Sequence, residues 1–263
     1  MIWNRNFNTI SLFLVFLKGM KQRLRRVHRI YVIFIIILFF LLFYPFYYFA
    51  ASKPRYYPWL NKLRKFNALC CCFFTGIFFR LNFELPLEED KTYIYCANHS
   101  SNLDIMVFCL LATGNFHFMG KDELLKNPVL KLFFNTIDIP VSRTSRISAF
   151  RAFKKAGDNL EAGRSLIIFP EGGISAEAYP PLLSPFKNGP FRLAIEKKIF
   201  VVPVTISDVW KKMWDDGEKY GTSPGICDIY IHKAMPTAHL TLADTESLKE
   251  EVFDLINSKL VTR

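Results

Sequence analysis

The chain has 263 residues, of which 51% are hydrophobic, and it carries a formal net charge of +11. This composition excludes an extended disordered chain and indicates a membrane contribution. Residues 1–83 hold 13 Lys and Arg and no acidic residue, whereas residues 84–263 are nearly neutral. Because the basic residues flank long apolar runs, they favour an anionic lipid surface. A nucleic-acid binder would instead carry them on its folded domain.

The first third of the chain predicts a membrane anchor. Residues 30–50 are 21 uncharged residues, enough to cross a bilayer core of about 30 Å, and residues 66–79 form a shorter apolar stretch. Basic residues flank both stretches. We therefore predict a re-entrant or two-helix anchor within residues 1–83, with its basic flanks and the active site on the cytoplasmic face of the membrane.

The start of the chain leaves two possibilities open. Residues 7–17 are a third, weaker apolar stretch, and Met20 is followed by a basic cluster and then by the long apolar run. The natural start can therefore be Met1 or Met20, with residues 1–19 as an upstream extension in the second case.

Residues 84–263 alternate short β-rich runs with amphipathic helical runs. Strands are predicted at residues 92–97, 116–119, 137–141, 166–169, 201–206 and 226–231, and helices at residues 102–112, 128–135, 146–162, 190–197 and 245–260. This alternation predicts one α/β domain with a mixed, mostly parallel sheet flanked by helices.

The cysteines indicate a reducing compartment. None of the six belongs to a CxxC pair, and the three adjacent ones at residues 70–72 cannot chelate one metal ion. We interpret them as small buried residues and predict neither a disulfide framework nor a zinc site.

The strongest candidate for chemistry is the segment NHSSNLD, residues 98–104, directly after the first predicted strand of the domain. In open α/β sheets, ligands bind outside the carboxyl ends of the strands. A helix cap by Ser100 or Ser101 would place Asp104 in the first turn, within reach of His99. The carboxylate would then fix the tautomer of His99, which can act as a general base on a hydroxyl. The spacing also occurs by chance, so a structural histidine is the alternative.

Two further segments follow predicted strands. In FPEGGIS, residues 169–175, Gly172 and Gly173 form a tight turn that leaves backbone amides open to an oxyanion or phosphate, unless it is an ordinary β-turn. Arg143 ends another predicted strand and is suited to a phosphate, unless it is simply solvated. Neither a Walker loop nor a GxSxG nucleophile elbow occurs in the sequence.

Taken in order, these segments resemble the glycerolipid acyltransferase family, whose founding activity is 1-acylglycerol-3-phosphate O-acyltransferase. The NHxxxxD block of that family is matched by Asn98, His99 and Asp104. The other matches are Arg143, which ends the second block, Phe169 to Gly172 and Ser175 in the FPEGTRS block, Val202 and Pro203 in the fourth, and the segment from Lys121 to Leu124. The resemblance covers roughly residues 84–210.

The resemblance implies a role for each matched residue. His99 would be the general base and Asp104 its partner, while the acceptor-binding residues would be Glu171, Gly172, Gly173, Arg143 and Lys121. The donor would be a thioester of coenzyme A or acyl carrier protein, without a metal or other cofactor. The acceptor would be a lysophospholipid, foremost 1-acylglycerol 3-phosphate, which gives phosphatidic acid.

Two departures from the family pattern put the acceptor in question. Ile174 stands where the family commonly has Arg, and Ser142 stands where it usually has Asp. The phosphate-binding charge would then come from Lys121, Arg143, Arg146 or Lys187. Alternatively, the acceptor is a lyso-lipid without phosphate, such as an N-acyl amino acid lipid. A non-catalytic lipid-binding membrane protein is the alternative from another class, against which the intact His99 and Asp104 argue.

Overall fold

The structure is a computed structural model that describes residues 3–142, 144–174, 182–213 and 221–261. Its helices are α1 (Trp3–Ala51), α2 (Tyr57–Thr75), α3 (Asp104–Leu111), α4 (Pro128–Phe134), α5 (Arg146–Glu161), α6 (Gly189–Lys197), α7 (Val209–Lys212) and α8 (Thr245–Val261). Its strands are β1 (Ile77–Phe83), β2 (Tyr93–Ala97), β3 (Asn115–Lys121), β4 (Ile139–Val141), β5 (Arg164–Ile168), β6 (Phe200–Ile206) and β7 (Gly225–Ile231). All strands and helices predicted for residues 84–263 are confirmed, with small shifts at their ends.

The seven strands form one mixed sheet in the order β1-β7-β6-β2-β5-β3-β4. Strands β2 to β6 are parallel to one another, whereas β7 is antiparallel to β6 and pairs in parallel with β1. The carboxyl ends of β2, β3, β4, β5 and β6 therefore meet at one edge of the sheet, which we call the carboxyl edge. Because β7 runs the other way, it enters the sheet at this same edge.

Helices cover both faces of the sheet, as the pattern along β2 shows. Tyr93 and Tyr95 belong to a core that includes Val32 of α1, Ala68 of α2 and residues of α3. Ile94 and Cys96 belong to a second core with residues of α5, α6 and α8. Successive side chains of a strand point to opposite faces of the sheet. Helices α1, α2 and α3 therefore lie on one face, and helices α5, α6 and α8 lie on the other. The predicted α/β class is thus confirmed.

The amino-terminal region forms two helices, and α2 is integrated into the folded domain. Its buried residues follow a helical stripe: Tyr57, Leu60, Asn61, Arg64, Ala68, Cys71, Cys72 and Thr75. Its opposite face exposes Trp59, Phe66 and Phe73. In α1, residues Phe16–Ala51 form the one described stretch that is long and apolar enough to cross a membrane. The helix pair therefore presents apolar surface outward while its inner side packs on the domain.

The boundary between the two predicted regions lies differently in the structure. Strand β1 falls within the residues assigned to the anchor, yet it pairs with β7 along its whole length. It begins after Gly76, whose backbone has φ +69°, a left-handed conformation that commonly ends a helix. The apolar stretch 66–79 is consequently the end of one helix and the start of a strand, so the sheet begins before residue 84.

A buried ion pair joins α2 to the sheet. The two terminal guanidinium nitrogens of Arg64 donate to the carboxylate of Asp138, at 3.2 and 2.7 Å, and the Phe118 amide donates to the same carboxylate at 3.0 Å. The side chains of Arg64 and Asp138 are only 5% and 4% exposed. The guanidinium also lies 4.2 Å from the ring centroid of Phe133. Arg64 is therefore a structural residue and not part of a lipid-facing basic flank.

Buried His117 leads to a prediction on acid stability. Burial, aided by the positive charges of Arg164 and Lys155, lowers the pKa of His117 on β3 to about 3. An unfolded histidine has a pKa of about 6.5, so the residue is neutral in both states above pH 7. Below that value the unfolded chain takes up a proton that the folded chain does not. We expect the free energy of unfolding to fall by about 2 kcal/mol between pH 7.5 and pH 5 from this residue alone.

Urea unfolding of the full chain in detergent at the two pH values measures this loss. The His117→Leu variant should lose about 2 kcal/mol less than the wild type over the same interval. His232, whose pKa burial also lowers, will contribute in the same direction in both proteins. Equal pH dependence of the wild type and the variant would assign the effect to groups other than His117.

Candidate active site

The candidate site lies at the carboxyl edge, where β2, β5 and β6 are neighbours. His99 follows β2 and Glu171 follows β5, so adjacent parallel strands bring the two motifs together although 72 residues separate them. Asn98 fixes the end of β2 to β6, because its side chain donates to the Ile206 carbonyl at 2.9 Å and accepts from the Ile206 amide at 2.7 Å. The adjacency of these strands in the sheet therefore brings the site residues together.

His99 and Asp104 are in direct contact. His99 Nδ1 lies 2.8 Å from Asp104 Oδ2, and this same oxygen accepts from the backbone amides of Ser100 and Ser101 at 2.8 and 2.9 Å. Asp104 is fully buried, whereas 16% of the His99 side chain is exposed. Because Asp104 accepts at Oδ2, the proton of the neutral imidazole sits on Nδ1 and the lone pair on Nε2. The arrangement suits acceptance of a proton from a hydroxyl.

The helix begins differently from the prediction. Helix α3 starts at Asp104 with Leu103 in the capping position, and neither Ser100 nor Ser101 caps it. The Ser101 hydroxyl instead accepts from the Leu103 amide at 3.1 Å. Asp104 accepts hydrogen bonds from the backbone amides of the turn that precedes α3, and these bonds fold the turn around its carboxylate. His99 is thereby brought into contact with Asp104.

Phe169 is a site residue whose role the sequence analysis did not assign. Its ring stacks on the imidazole of His99, with centroids 3.9 Å apart and planes inclined by 13°. Phe108 of α3 packs edge-on against the ring of Phe169, with centroids 5.7 Å apart. The imidazole is thus held by a hydrogen bond at Nδ1 and by the stacked ring of Phe169 on one face. A phenylalanine directly after the buried strand and before Pro170 was the available signal.

Glu171 connects the two motifs through backbone hydrogen bonds. Its Oε1 accepts from the His99 amide at 2.7 Å, and its Oε2 accepts from the Ser184 amide at 2.8 Å. Burial raises the pKa of this carboxyl, and the two amide hydrogen bonds lower it in part. Both carboxylate oxygens are therefore used in holding the backbone on either side. Its predicted contact with the acceptor stays a prediction.

The turn at Gly172 lies beneath a lysine. Gly172 has φ +83°, and a Cβ built there would lie 2.7 Å from Lys187 Nζ. The Lys187 amide also donates to the Pro170 carbonyl at 3.0 Å, which fixes this lysine beside the turn. Gly173 and Ile174 follow, both partly buried. Glycine is favoured at residue 172 by this backbone conformation, which other residues rarely adopt.

The remaining predicted residues lie farther along the edge or outside the described residues. Lys121 ends β3, is exposed and pairs in register with Val141 of β4. It shares the carboxyl edge with His99, but β5 separates their strands. Arg143 and Ser175 lie outside the described residues. Among the described residues, no group of three His, Cys, Asp or Glu side chains is placed to hold a metal ion.

Comparison with known proteins identifies the domain. Residues 80–207, which contain β2 to β6 and the whole site, match the family model named Acyltransferase. Residues 80–207 are an acyltransferase-family domain. The match begins within β1 and ends just after β6, so it covers the strands that carry the site residues.

Curated relatives of the acyltransferase domain carry related names. The chain is 30% identical over 65% of its length to a 1-acyl-sn-glycerol-3-phosphate acyltransferase of Chlamydomonas reinhardtii, and 32% identical over 62% to that of Saccharomyces cerevisiae. It is 27% identical over 67% to 1-acyl-sn-glycerol-3-phosphate acyltransferase beta of Homo sapiens. These alignments cover 51%, 54% and 62% of the relatives, so the chain spans little more than half of their length.

A solved structure has the same fold. The crystal structure of the 1-acyl-sn-glycerophosphate acyltransferase PlsC from Thermotoga maritima superposes with a TM-score of 0.75. The superposition covers 92% of this chain and 97% of that one, at 19% sequence identity. The likeness therefore extends beyond the acyltransferase domain to most of the helix pair α1 and α2.

Proposed function

We propose that the protein transfers an acyl chain from a thioester to the free hydroxyl of a lysophospholipid, foremost 1-acylglycerol 3-phosphate, and so forms phosphatidic acid. The observation that carries the proposal is the contact of His99 Nδ1 with buried Asp104, at the carboxyl edge of an acyltransferase-family domain. The names of the curated relatives support the choice of acceptor.

The proposed reaction is a direct transfer. His99 Nε2 takes the proton of the acceptor hydroxyl while the hydroxyl oxygen attacks the thioester carbonyl carbon. Asp104 stabilises the imidazolium that forms. When the tetrahedral intermediate collapses, the carbon–sulfur bond breaks and the imidazolium returns its proton to the leaving thiolate. The products are the acylated lipid and a free thiol, of coenzyme A or of acyl carrier protein.

The acceptor phosphate would be held by lysine in place of the arginine that the family pattern has at residue 174. Lys187 lies against the Gly172 turn, next to the site. Lys121 is exposed at the same edge. Each can act as a point charge toward a phosphate, although without the bidentate geometry of arginine. We therefore expect binding of the phosphate to depend more on charge than on a fixed geometry.

The acceptor would reach the site from the membrane. The outer faces of α1 and α2 expose large apolar side chains, such as Phe34, Phe46, Phe66 and Phe73. Exposed apolar surface of this extent favours lipid contact. We propose that the helix pair attaches the protein to the membrane with the carboxyl edge on the cytoplasmic side, where a soluble thioester is available.

The proposal is tested by release of free thiol from long-chain acyl-CoA by the detergent-purified full chain. We expect release only when 1-acylglycerol 3-phosphate is added, with phosphatidic acid as the lipid product. Lysophosphatidylcholine, which also carries a free hydroxyl, is the control for acceptor choice. If no thiol is released, acyl carrier protein thioesters should be offered next with the same acceptors.

A second acceptor class is favoured by one observation. Ile174 removes the family's usual arginine from the third motif, and an apolar residue there suits a lipid without phosphate. An N-acyl amino acid lipid with a free hydroxyl would keep the same chemistry. Thiol release with that acceptor alone would establish this alternative. No thiol release with any acceptor or donor would indicate a non-catalytic lipid-binding protein.

A further inference from the structure

A groove lies between α1 and the residues that lead into β7. Its volume is about 670 Å³, and it opens on the molecular surface. Because β7 enters the sheet at the carboxyl edge, the groove lies at the same edge as the candidate active site. None of its lining residues belongs to that site, and β6 and β7 separate it from the strand that carries His99. It is therefore a separate feature of the surface.

One wall of the groove is apolar. Leu24, Val27 and Tyr31, spaced three and four residues apart, form one face of α1, and Pro224 lies opposite. Leu24 and Val27 are each 63% exposed. This face continues along α1 to the exposed residues Ile30 and Phe34, and all five residues lie within the candidate membrane span. Lipid in contact with the span can thus reach the groove without crossing a polar surface.

The rim of the groove is cationic. Lys21 and Arg25 are lining residues, and Lys212 Nζ donates to the carbonyl of Pro224, another lining residue, at 3.3 Å. No carboxylate of the described residues lines the groove. Three cations at a rim that no described carboxylate lines favour a ligand that carries negative oxygen atoms.

The groove is preformed because α1 is fixed to the domain beside it. The Thr222 amide donates to the carbonyl of Arg25 at 2.9 Å, and the Arg25 guanidinium donates to the carbonyl of Lys211 at 3.0 Å. Gly221 approaches so closely that a Cβ there would lie 2.6 Å from the backbone of Arg25. His28 has both ring nitrogens occupied, by Thr222 and by the carbonyl of Thr75. These contacts hold the groove open in a defined shape.

We propose that this groove binds one molecule of an anionic phospholipid from the surrounding membrane. The acyl chain lies along Leu24, Val27 and Tyr31, and the phosphate is bound by Lys21 and Arg25. The volume falls within the range of sites for single small molecules. Continuity with the candidate span and the cationic rim favour a membrane lipid with a net negative head group over a soluble anion. This site does not depend on the proposed reaction.

Lipid retention by the full chain in detergent tests the site. Native mass spectrometry counts the lipids that stay bound, with phosphatidylglycerol as the anionic probe and phosphatidylcholine of the same chains as the neutral one. We expect one phosphatidylglycerol per chain, retained with at least about fivefold higher affinity than phosphatidylcholine, the factor that one basic contact supplies. Equal retention of the two lipids, or release of both, would overturn the proposal.

Two variants and two matched controls localise the binding. Lys21→Glu reverses the charge at the rim and Val27→Trp fills the groove, and each should weaken phosphatidylglycerol retention about fivefold or more. Lys18→Glu and Ile33→Trp make the same changes on the same helix outside the groove and should leave retention unchanged. All four positions are exposed, so lipid-free melting temperatures should agree. An equal loss in variants and controls would mean a diffuse charge effect and no site.

Discussion

Replacement of His99 by alanine is expected to lower kcat for acyl transfer by about 10²–10⁴-fold or more, the usual contribution of a general base. The acceptor hydroxyl would then have no base to receive its proton. KM for the donor should change little, since the imidazole acts on the proton and not on the acyl chain. The measurement is thiol release by detergent-purified protein. His239→Ala, at an exposed histidine outside the site, is the control and should keep full activity.

Asp104→Asn tests the same unit by another route. The amide keeps the size of the carboxylate but has one acceptor oxygen, whereas the His99 ring and two backbone amides all donate to Asp104 Oδ2. An amide N–H turned toward the imidazole would favour the tautomer with its proton on Nε2. We expect a loss of up to about 10⁴-fold in kcat. Activity near that of the wild type in either variant would rule out the proposed role of this pair.

Arg64→Met is expected to lower the free energy of unfolding by about 3–5 kcal/mol. The reason is that the carboxylate of Asp138, almost without solvent contact, would lose its only salt-bridge partner among the described residues. Methionine keeps much of the apolar volume, so the loss reports the unpaired charge more than a cavity. Thermal unfolding in detergent, followed by circular dichroism, measures the effect.

Two further variants distinguish the effect of the unpaired charge on stability from the effect of lost packing. Lys65→Met changes the neighbouring exposed lysine and should alter stability by less than about 0.5 kcal/mol. In the Arg64→Met background, Asp138→Asn removes the buried charge but keeps an oxygen that accepts from the Phe118 amide. This double variant should recover much of the lost stability. If it is no more stable than Arg64→Met alone, the ion pair is not the source of the effect.

The sequence was most informative where the pattern was local. The strands and helices of the α/β domain were predicted because period-2 and helical patterns are short-range, and the proximity of His99 and Asp104 is likewise local because only five positions separate them. Strand β1 was missed because its apolar residues continue those of α2 without a polar break. Gly76 was the one available signal of a boundary. Because β1 and Arg64 belong to the domain, membrane attachment should be tested on the full chain and not on a truncation.

Contacts between distant segments could not be read from the sequence. Ser184 belongs to no motif, yet its amide binds Glu171. Arg64 and Asp138 are 74 residues apart. Arg64 also lies among basic residues beside an apolar stretch, which is the pattern expected of a lipid-facing flank. The stacking of Phe169 on His99 likewise depends on β2 and β5 being neighbours in the sheet. The sequence did not reveal the strand order on which this stacking depends.

The fixation of α1 by Thr222 has a kinetic consequence. A catalytic domain on a flexible tether would rotate freely and meet its acceptor from many directions. Here the helix is bonded to the domain beside the carboxyl edge, so attachment of α1 to a membrane also sets the direction in which that edge points. Under the proposed function, encounter with the acceptor becomes a search in two dimensions. The rate should then follow the mole fraction of the acceptor in the bilayer. Dilution of the bilayer with inert lipid should slow turnover even when the total amount of acceptor is constant.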